Sequence, residues 1–514
     1  MATPELSMRT RLPSWISLLC TLALTACSDD TPTPDQTDTT PADTATDAAD
    51  VEAPDTTPGP PEVTTTTLGW ISVQDGQLVD EFGRQWLIRG INARVDGLFD
   101  VTFDDGRIPL QPIPDWNADD AARAASMGFN MLRLPINWSG LEPTEGEFNE
   151  AYFARLLEVV ELTTSAGIYV LLDFHQDAWS KEIGEDGAPL WAIVPPPTQL
   201  LQGPLTDLSQ RRVSAQVLAA FAGFYTNREN IQDRFLPVFS EVVTRYADNS
   251  GVIGVEIQNE PVTTSVNDGE ALLQQFYERF AARMRELDPR HTIWMEPDSL
   301  RNFTNSAPLR EQPFPDDNIV YTPHLYPGLT GMSETTVEDW MRELQPTFDS
   351  LMAESASWGG AVVWGEWGDD PNGETAASYW RAFDALSDER LVGHAYWLWK
   401  ERSQGFWGFF TYDEATDTWT ERADAIAGYI RPAAMAIPGR IVSHVSDRDA
   451  GTLVVTFNAE GGEAAPLLYM PPAAQWQVTL NGTPVQIQPD AAGRVLLPWQ
   501  GEAGTFEIQA TRQN

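Results

Sequence analysis

Two glutamates end apolar runs of this chain. Glu260 closes VIGVEIQNEP (residues 252–261), and Glu366 stands inside AVVWGEW (residues 361–367). Two carboxylates at one pocket can cleave a glycosidic bond. One, protonated, donates to the leaving oxygen; the other, ionised, attacks the anomeric carbon or activates water. A gap near ~5 Å implies a covalent glycosyl intermediate and retained configuration, and ~6.5–9.5 Å implies inversion. The two tasks need opposite protonation states, so Glu260 is expected to have a raised pKa and Glu366 to be ionised. Other apolar runs end in Arg133, in Asp173, His175 and Asp177, in Asn259, in His324 and Tyr326, and in Trp397 and Trp399. Asp173, His175 and Asp177 have the donor types of a metal site. No His-x-x-x-His helix accompanies them, and sugar chemistry accounts for them without an ion, so neither metal nor cofactor is expected.

The elements that must gather these residues follow a rhythm. Apolar runs at 86–92, 130–136, 168–175, 252–260, 292–297, 319–326, 361–367 and 394–400 read as strands. Segments of helical period lie between them, at 118–127, 150–165, 232–246, 269–287, 337–357 and 374–386. Apolar strands alternating with helices imply a parallel sheet covered on its outer face. Eight such units predict a (β/α)8 TIM barrel, whose chemistry sits at the C-terminal strand ends. A doubly wound open sheet is the alternative, and no glycine-rich phosphate turn follows any strand to favour it. The insertion at 176–210, with WAIVPPPTQLLQGPL, is apolar enough to be a lid or satellite core. Beyond residue 438 the runs shorten and alternate, with a hairpin signal at Asn481-Gly482. The expected organisation is an α/β barrel domain over 68–438 and a small C-terminal β-sandwich over 439–514.

Composition narrows the partners. The 514 residues carry a formal net charge of −43, which argues against nucleic acid and anionic lipid headgroups as main ligands. Only Lys181 and Lys400 are lysines; salt bridging is the plain reading of both. Glu256, inward-facing by strand alternation, is expected to partner a buried arginine. Of 19 tryptophans, most are core, and Trp179, Trp191, Trp367, Trp397 and Trp399 lie where a ligand could meet them.

The N-terminus reads as a processing segment over residues 1–26: Arg9 and Arg11, then the short apolar run WISLLCTLAL. Its end, LTAC, resembles the lipobox of bacterial lipoproteins. The resemblance implies lipidation of Cys27, and Ser28 after it implies an outer-membrane or cell-surface address. With Cys20 removed, no disulfide is expected. Residues 28–67 lack Lys, Arg and aromatics, so 27–67 reads as an unfolded tether.

NEP at the end of strand four and a lone Glu ending strand seven resemble the retaining clan of barrel glycosidases, glycoside hydrolase family 5 above all. The resemblance implies Glu260 as acid/base, Glu366 as nucleophile, Asn259 on the sugar 2-hydroxyl and Arg133 on the nucleophile. It implies His175 and His324 lining the reacting sugar, Tyr326 beside Glu366, and Trp397 flooring that subsite. GFNMLRLPINWSGLEPTEGEFNEAYF, VLLDFHQDAWSKEIGEDGAPLWA, YWLWKE and IRPAAMAIPG are similar to the endoglycoceramidase branch. There Asp173, His175 and Asp177 would hold the sugar next to the lipid of a glycolipid substrate. INARVDGLFD departs from the Asn-x-x-x-Lys pattern of ceramide-cleaving members, leaving the glycolipid open. The rival expectations are a family 5 endo-β-glucanase or mannanase and a non-catalytic glycan-binding lipoprotein. Oligomeric state is not legible.

Overall fold

The computed structural model describes residues 68–305, 313–326, 334–370, 373, 375–402 and 407–513. The segments containing Cys27 and the expected tether lie outside the described residues.

Eight parallel strands close on themselves. They are β1 (Arg89–Asn92), β2 (Met131–Ile136), β3 (Tyr169–Phe174), β4 (Val252–Glu256), β5 (Thr292–Met295), β6 (Ile319–Tyr321, resumed at His324–Leu325), β7 (Ala361–Trp367) and β8 (Gly393–Tyr396). Each pairs in parallel with the next, and β8 returns to β1 through His394 opposite Arg89 and Tyr396 opposite Ile91. The eight expected strands are therefore a TIM barrel, not an open sheet. Every residue of β2, β3 and β4 is buried, as strands covered on both faces require.

Helices on the outside of the strands include α1 (Ala118–Ser126), α2 (Glu150–Ser165), α3 (Ile231–Tyr246), α4 (Gly269–Leu287), α5 (Val337–Trp358) and α6 (Ala376–Arg390). Their starts follow local chemistry. Asn117 caps α1 in a reciprocal box with Asp120, and Asn149 and Thr336 accept from the first turns of α2 and α5.

Met131, Tyr169, Leu171, Ile253, Trp294, Val320, Val363 and Ala395 fill the lower barrel. They pack on a six-stranded sheet ordered Ile71–Gln74, Gln77–Asp80, Arg84–Trp86, Ala433–Pro438, Leu467–Tyr469 and Arg494–Leu496. The lower interior is thus mainly apolar, with Thr292 accepting from the Trp294 indole there, and the carboxylates cluster at the upper rim. A five-stranded antiparallel sheet, Arg440–Asp447 through Thr483–Val485, shares a second apolar cluster with the first sheet. Asn481 and Gly482, at φ 48° and 74°, turn its terminal hairpin. The first sheet takes strands from both flanks of the barrel sequence, so it crosses the expected boundary at residue 438.

The long insertion is satellite core. Trp179, Ile183, Ala192, Ile193 and Val194 are buried in the main apolar cluster, with Trp179 against Phe221 and Phe224.

Candidate active site

Arg133 organises the barrel mouth. Alternation along β2 puts it on the same inner face as Met131. Its guanidinium, wholly buried, donates through Nε to Glu256 at 2.6 Å and through Nη1 to Glu366 at 2.7 Å and Asn92 at 3.1 Å. Nη2 donates to the Asn259 amide oxygen at 2.7 Å and lies 3.1 Å from Asp173 and 3.3 Å from Glu296. Every guanidinium nitrogen is engaged inside the protein. Arg133 therefore positions carboxylates and has no donor left for a sugar. Glu256 is the arginine partner that strand alternation predicts.

Glu366 is held from both sides. Arg133 donates to Oε1, and the Tyr326 hydroxyl donates to Oε2 at 2.5 Å. Glu260 lies past the end of β4 in the left-handed region, φ 38°, which costs a non-glycine residue roughly 1–2 kcal/mol. Its Oε1 is 2.9 Å from His324 Nδ1 and accepts from Asn302 at 3.4 Å. One ligand atom each of Glu260, Glu366 and His324 lie within 4.8 Å of one another.

Charge is unevenly shared here. Asp173, Glu256, Glu260, Glu296 and Glu366 surround one guanidinium and the His324 ring, so not all five carboxylates can ionise together. Burial is the first cause that raises Glu256 and Glu296, the deepest pair, and it lifts Asp173 to about 6. Burial and then Arg133 lower His175 to about 3. His324 moves the other way: burial opposes its charge, but Glu296, Glu366 and Glu260 together raise it well above the usual imidazole range.

This corrects one sequence expectation. Glu260 is not raised. Burial alone would lift it, but the His324 hydrogen bond and charge outweigh burial and hold it down to about 2. The opposite shifts of the two groups favour the proton on the imidazole, 2.9 Å from the Glu260 carboxylate.

The remaining expected residues divide. His175 Nδ1 meets Asp173 at 2.6 Å, and its ring lies parallel to Trp397 with centroids 5.8 Å apart. Asn259 also donates to the Gln176 carbonyl at 3.0 Å. Asp177 is engaged by Arg212, whose Nε donates at 2.7 Å. Trp399 is a correction: it is 1% exposed, donates to Asp120 and packs on Trp116 and Phe410 outside the barrel. The reason is that β8 ends at Tyr396, so strand alternation cannot be carried from Trp397 to Trp399. Trp367 likewise turns outward, stacked on Phe383, and Trp191 packs on Trp138. Lys181 and Lys400 are salt-bridged to Asp100 and Asp120.

Glu296 and Asn302 were not anticipated. Glu296 is two residues beyond the inward-facing Trp294 of β5, so the inner-face pattern carried the signal. Arg94, in the divergent stretch after β1, is buried against Glu185 at 3.1 Å and against Glu401, with its guanidinium 5.9 Å from the Trp397 ring.

Comparison with known proteins meets this geometry. The sequence model of cellulase (glycosyl hydrolase family 5) matches residues 110–403, over half of the chain. The chain belongs to glycosyl hydrolase family 5. Within the family it is similar to endoglycoceramidase I of Rhodococcus hoagii (strain 103S), 27% identical over 275 residues, 51% of this chain and 54% of that protein. It is also similar to the endoglycoceramidase of Cyanea nozakii, 24% identical over 265 residues, 44% of this chain and 50% of that one. The matched region thus spans about half the length of these curated relatives. The fold resembles that of an endogalactoceramidase crystal structure, with a TM-score of 0.73 at 25% identity over 87% of this chain and all of the other. Endo-glycoceramidase II from Rhodococcus sp., in its ganglioside GM3 complex, gives a TM-score of 0.73 at 22% identity, covering 86% and 100% of the two chains.

Two groups in this family 5 site have the donors of a metal site, Glu256 with Glu296 and His324, and Glu260 with His324 and Glu366. Arg133 already occupies one side of Glu256, Glu296 and Glu366 at 2.6–3.3 Å, so a cation there would face a fixed guanidinium.

Glu296 lies 3.1 Å from His324 Nε2, opposite the Glu260 contact. Glu296→Gln keeps shape and an acceptor oxygen but removes the carboxyl whose interaction raises His324. The alkaline limb of kcat/KM should then move to lower pH, by roughly one unit. An unmoved limb would leave Glu296 a packing group only.

Proposed function

We propose that this chain is a retaining endo-β-glycosidase that cleaves the bond between a glycan and an apolar lipid aglycone. The observation that carries the mechanism is the approach of Glu260 and Glu366 oxygens to within 4.8 Å. That leaves no room for the water an inverting pair must admit between its carboxylates. Glu366, oriented by Arg133 and Tyr326, attacks the anomeric carbon. Glu260, drawing on the proton it shares with His324, protonates the leaving oxygen; water then releases the sugar with Glu260 as base.

The lipid side of the reading rests on the acid's neighbourhood. The aglycone must leave past Glu260, because Glu260 protonates its oxygen. Arg212 bonds Asp177 and is followed by Val213, 57% exposed; Leu300, 46% exposed, precedes the short helix carrying Asn302, which touches Glu260. Exposed Leu200 lies on the 176–210 insertion that leads toward Val213. In this reading these exposed side chains would receive a hydrocarbon chain, and the similar proteins include endoglycoceramidases. In this reading the two sheets beneath the barrel are a β-sandwich that seals its lower end and reads no sugar.

The test is product analysis by mass spectrometry. Glycosphingolipids should yield intact oligosaccharide and free ceramide. Cleavage of cello- or manno-oligomers with no lipid release would favour the polysaccharidase reading instead.

Attachment through a lipidated Cys27 completes the proposal and places the enzyme at an outer membrane or cell surface. Cys27→Ala should move the protein from the membrane fraction of a bacterial host to the soluble one. An unchanged distribution would remove the anchor.

A further inference from the structure

A second polar nest lies beneath the barrel, between β1, α6 and the two sheets. Arg89, Ser387, Asp388, His394, Arg431 and His444, with apolar neighbours, line a small, partly open pocket of about 20 Å³, enough for one water-sized or ion-sized occupant. Its two carboxylates, Asp384 and Asp388, are each ion-paired with arginine. Asp388 receives both Nη groups of Arg431 at 2.7 and 2.8 Å and the Ser446 N–H at 3.2 Å, and lies 3.0 Å from His444 Nδ1. Asp384 takes Arg448 at 2.6 Å and Arg431 Nε at 3.2 Å.

Arg89 is left over. Its side chain is nearly buried, at 4% residue exposure, and Nε and Nη1 have no partner. Nη2 reaches only the Tyr429 carbonyl at 3.5 Å, and the guanidinium stands 5.1 Å from the Tyr429 ring. The Tyr429 hydroxyl and the Ser387 hydroxyl are buried and unpartnered as well.

Neither histidine adds an acidic counterweight or a further positive charge. His444 Nε2 accepts the Ala434 N–H at 3.2 Å, so its one proton is on Nδ1. His394 Nδ1 accepts from Trp367 Nε1 at 3.0 Å, and burial with the charge of Arg89 lowers it to about 3. Three guanidiniums, Arg89, Arg431 and Arg448, therefore face two carboxylates. A buried, unpaired guanidinium is among the costliest groups a fold can contain. A water molecule could accept from Arg89 but would not offset its charge.

We propose that this nest binds one small monovalent anion of chloride size, held by the free Arg89 N–H groups with the Ser387 hydroxyl as a further donor. The site is structural, ties β1 and α6 to the C-terminal sheets, and is independent of the sugar pocket. Because the chain as a whole carries −43, its field opposes anion entry, and the site should fill at tens of millimolar halide rather than traces.

Two measurements on the full chain decide it. Crystals soaked in sodium bromide should show an anomalous peak in contact with Arg89; a space without anomalous signal at high bromide overturns the proposal. At constant ionic strength, replacing gluconate with chloride should raise Tm by about 2 °C per tenfold chloride near saturation. A Tm indifferent to the exchange overturns it too. Arg89→Met should abolish the chloride dependence where it folds, and a dependence that survives would place the anion elsewhere. Arg89→Lys, which retains the charge, should keep it in weaker form.

Discussion

Glu366→Gln should lower turnover by at least roughly four orders of magnitude while leaving substrate binding and the fold intact. The carboxamide is nearly isosteric; its single oxygen can keep the Arg133 bond while its NH2 donates to the Tyr326 hydroxyl, but it cannot form the glycosyl ester. Stability should not fall with activity. Five carboxylates crowd one guanidinium and one imidazole in this pocket, and Asp173, Glu256 and Glu296 remain on Arg133 when Glu366 loses its charge. Removing one negative charge relieves repulsion, so Tm should hold or rise, as expected where a site stores electrostatic strain. Calorimetry alongside steady-state kinetics checks both halves. A large drop in Tm would mean that Glu366 is needed to hold the barrel together.

Glu260→Gln should act selectively. Cleavage of a natural glycolipid, whose alkoxide is a poor leaving group, should slow by about 10²–10⁴-fold, the range of general acid catalysis. An activated aryl glycoside needs no proton to depart, so its first step should be much less affected. Its second step loses the base, so the glycosyl-enzyme should accumulate and KM should fall. Equal losses on both substrates would deny Glu260 the acid role. The protonation of the free enzyme sharpens this. With His324 raised well above its usual range and Glu260 held to about 2, the proposed mechanism assigns acid competence to the pair. It is lost as pH rises through the pKa of His324 rather than through that of an isolated carboxyl. His324→Gln should move the alkaline limb of kcat/KM to lower pH, toward the pKa of Glu260 without its imidazole.

The barrel was legible because its strands and helices have periods that differ and alternate strictly. All eight strands fall on the apolar runs to within a residue, and the inner-face residues follow by twos except where a register shift interrupts β7 between Trp364 and Trp367. The same rule hid what happens where strands stop. Trp399 was assigned to the pocket by extending β8 beyond Tyr396, where the ladder no longer dictates direction. Glu296 was overlooked although Trp294 marks its face. The proton on His324 was illegible, because it depends on Glu296 and Glu366 converging from β5 and β7 on a ring carried by β6. No local pattern encodes that three-way meeting. The six-stranded sheet was similarly obscure: Arg84–Trp86 pairs with Ala433–Pro438 across most of the chain, and pairing at such separation has no signature within either segment.

The anomeric form of the first product tests the account most directly. Proton NMR during hydrolysis of a β-linked glycolipid should show the β-hemiacetal appearing first and mutarotating later, because attack by Glu366 and then by water inverts the centre twice. Initial release of the α-hemiacetal would mean a single displacement. The two glutamates could not then be nucleophile and acid/base at the distance described.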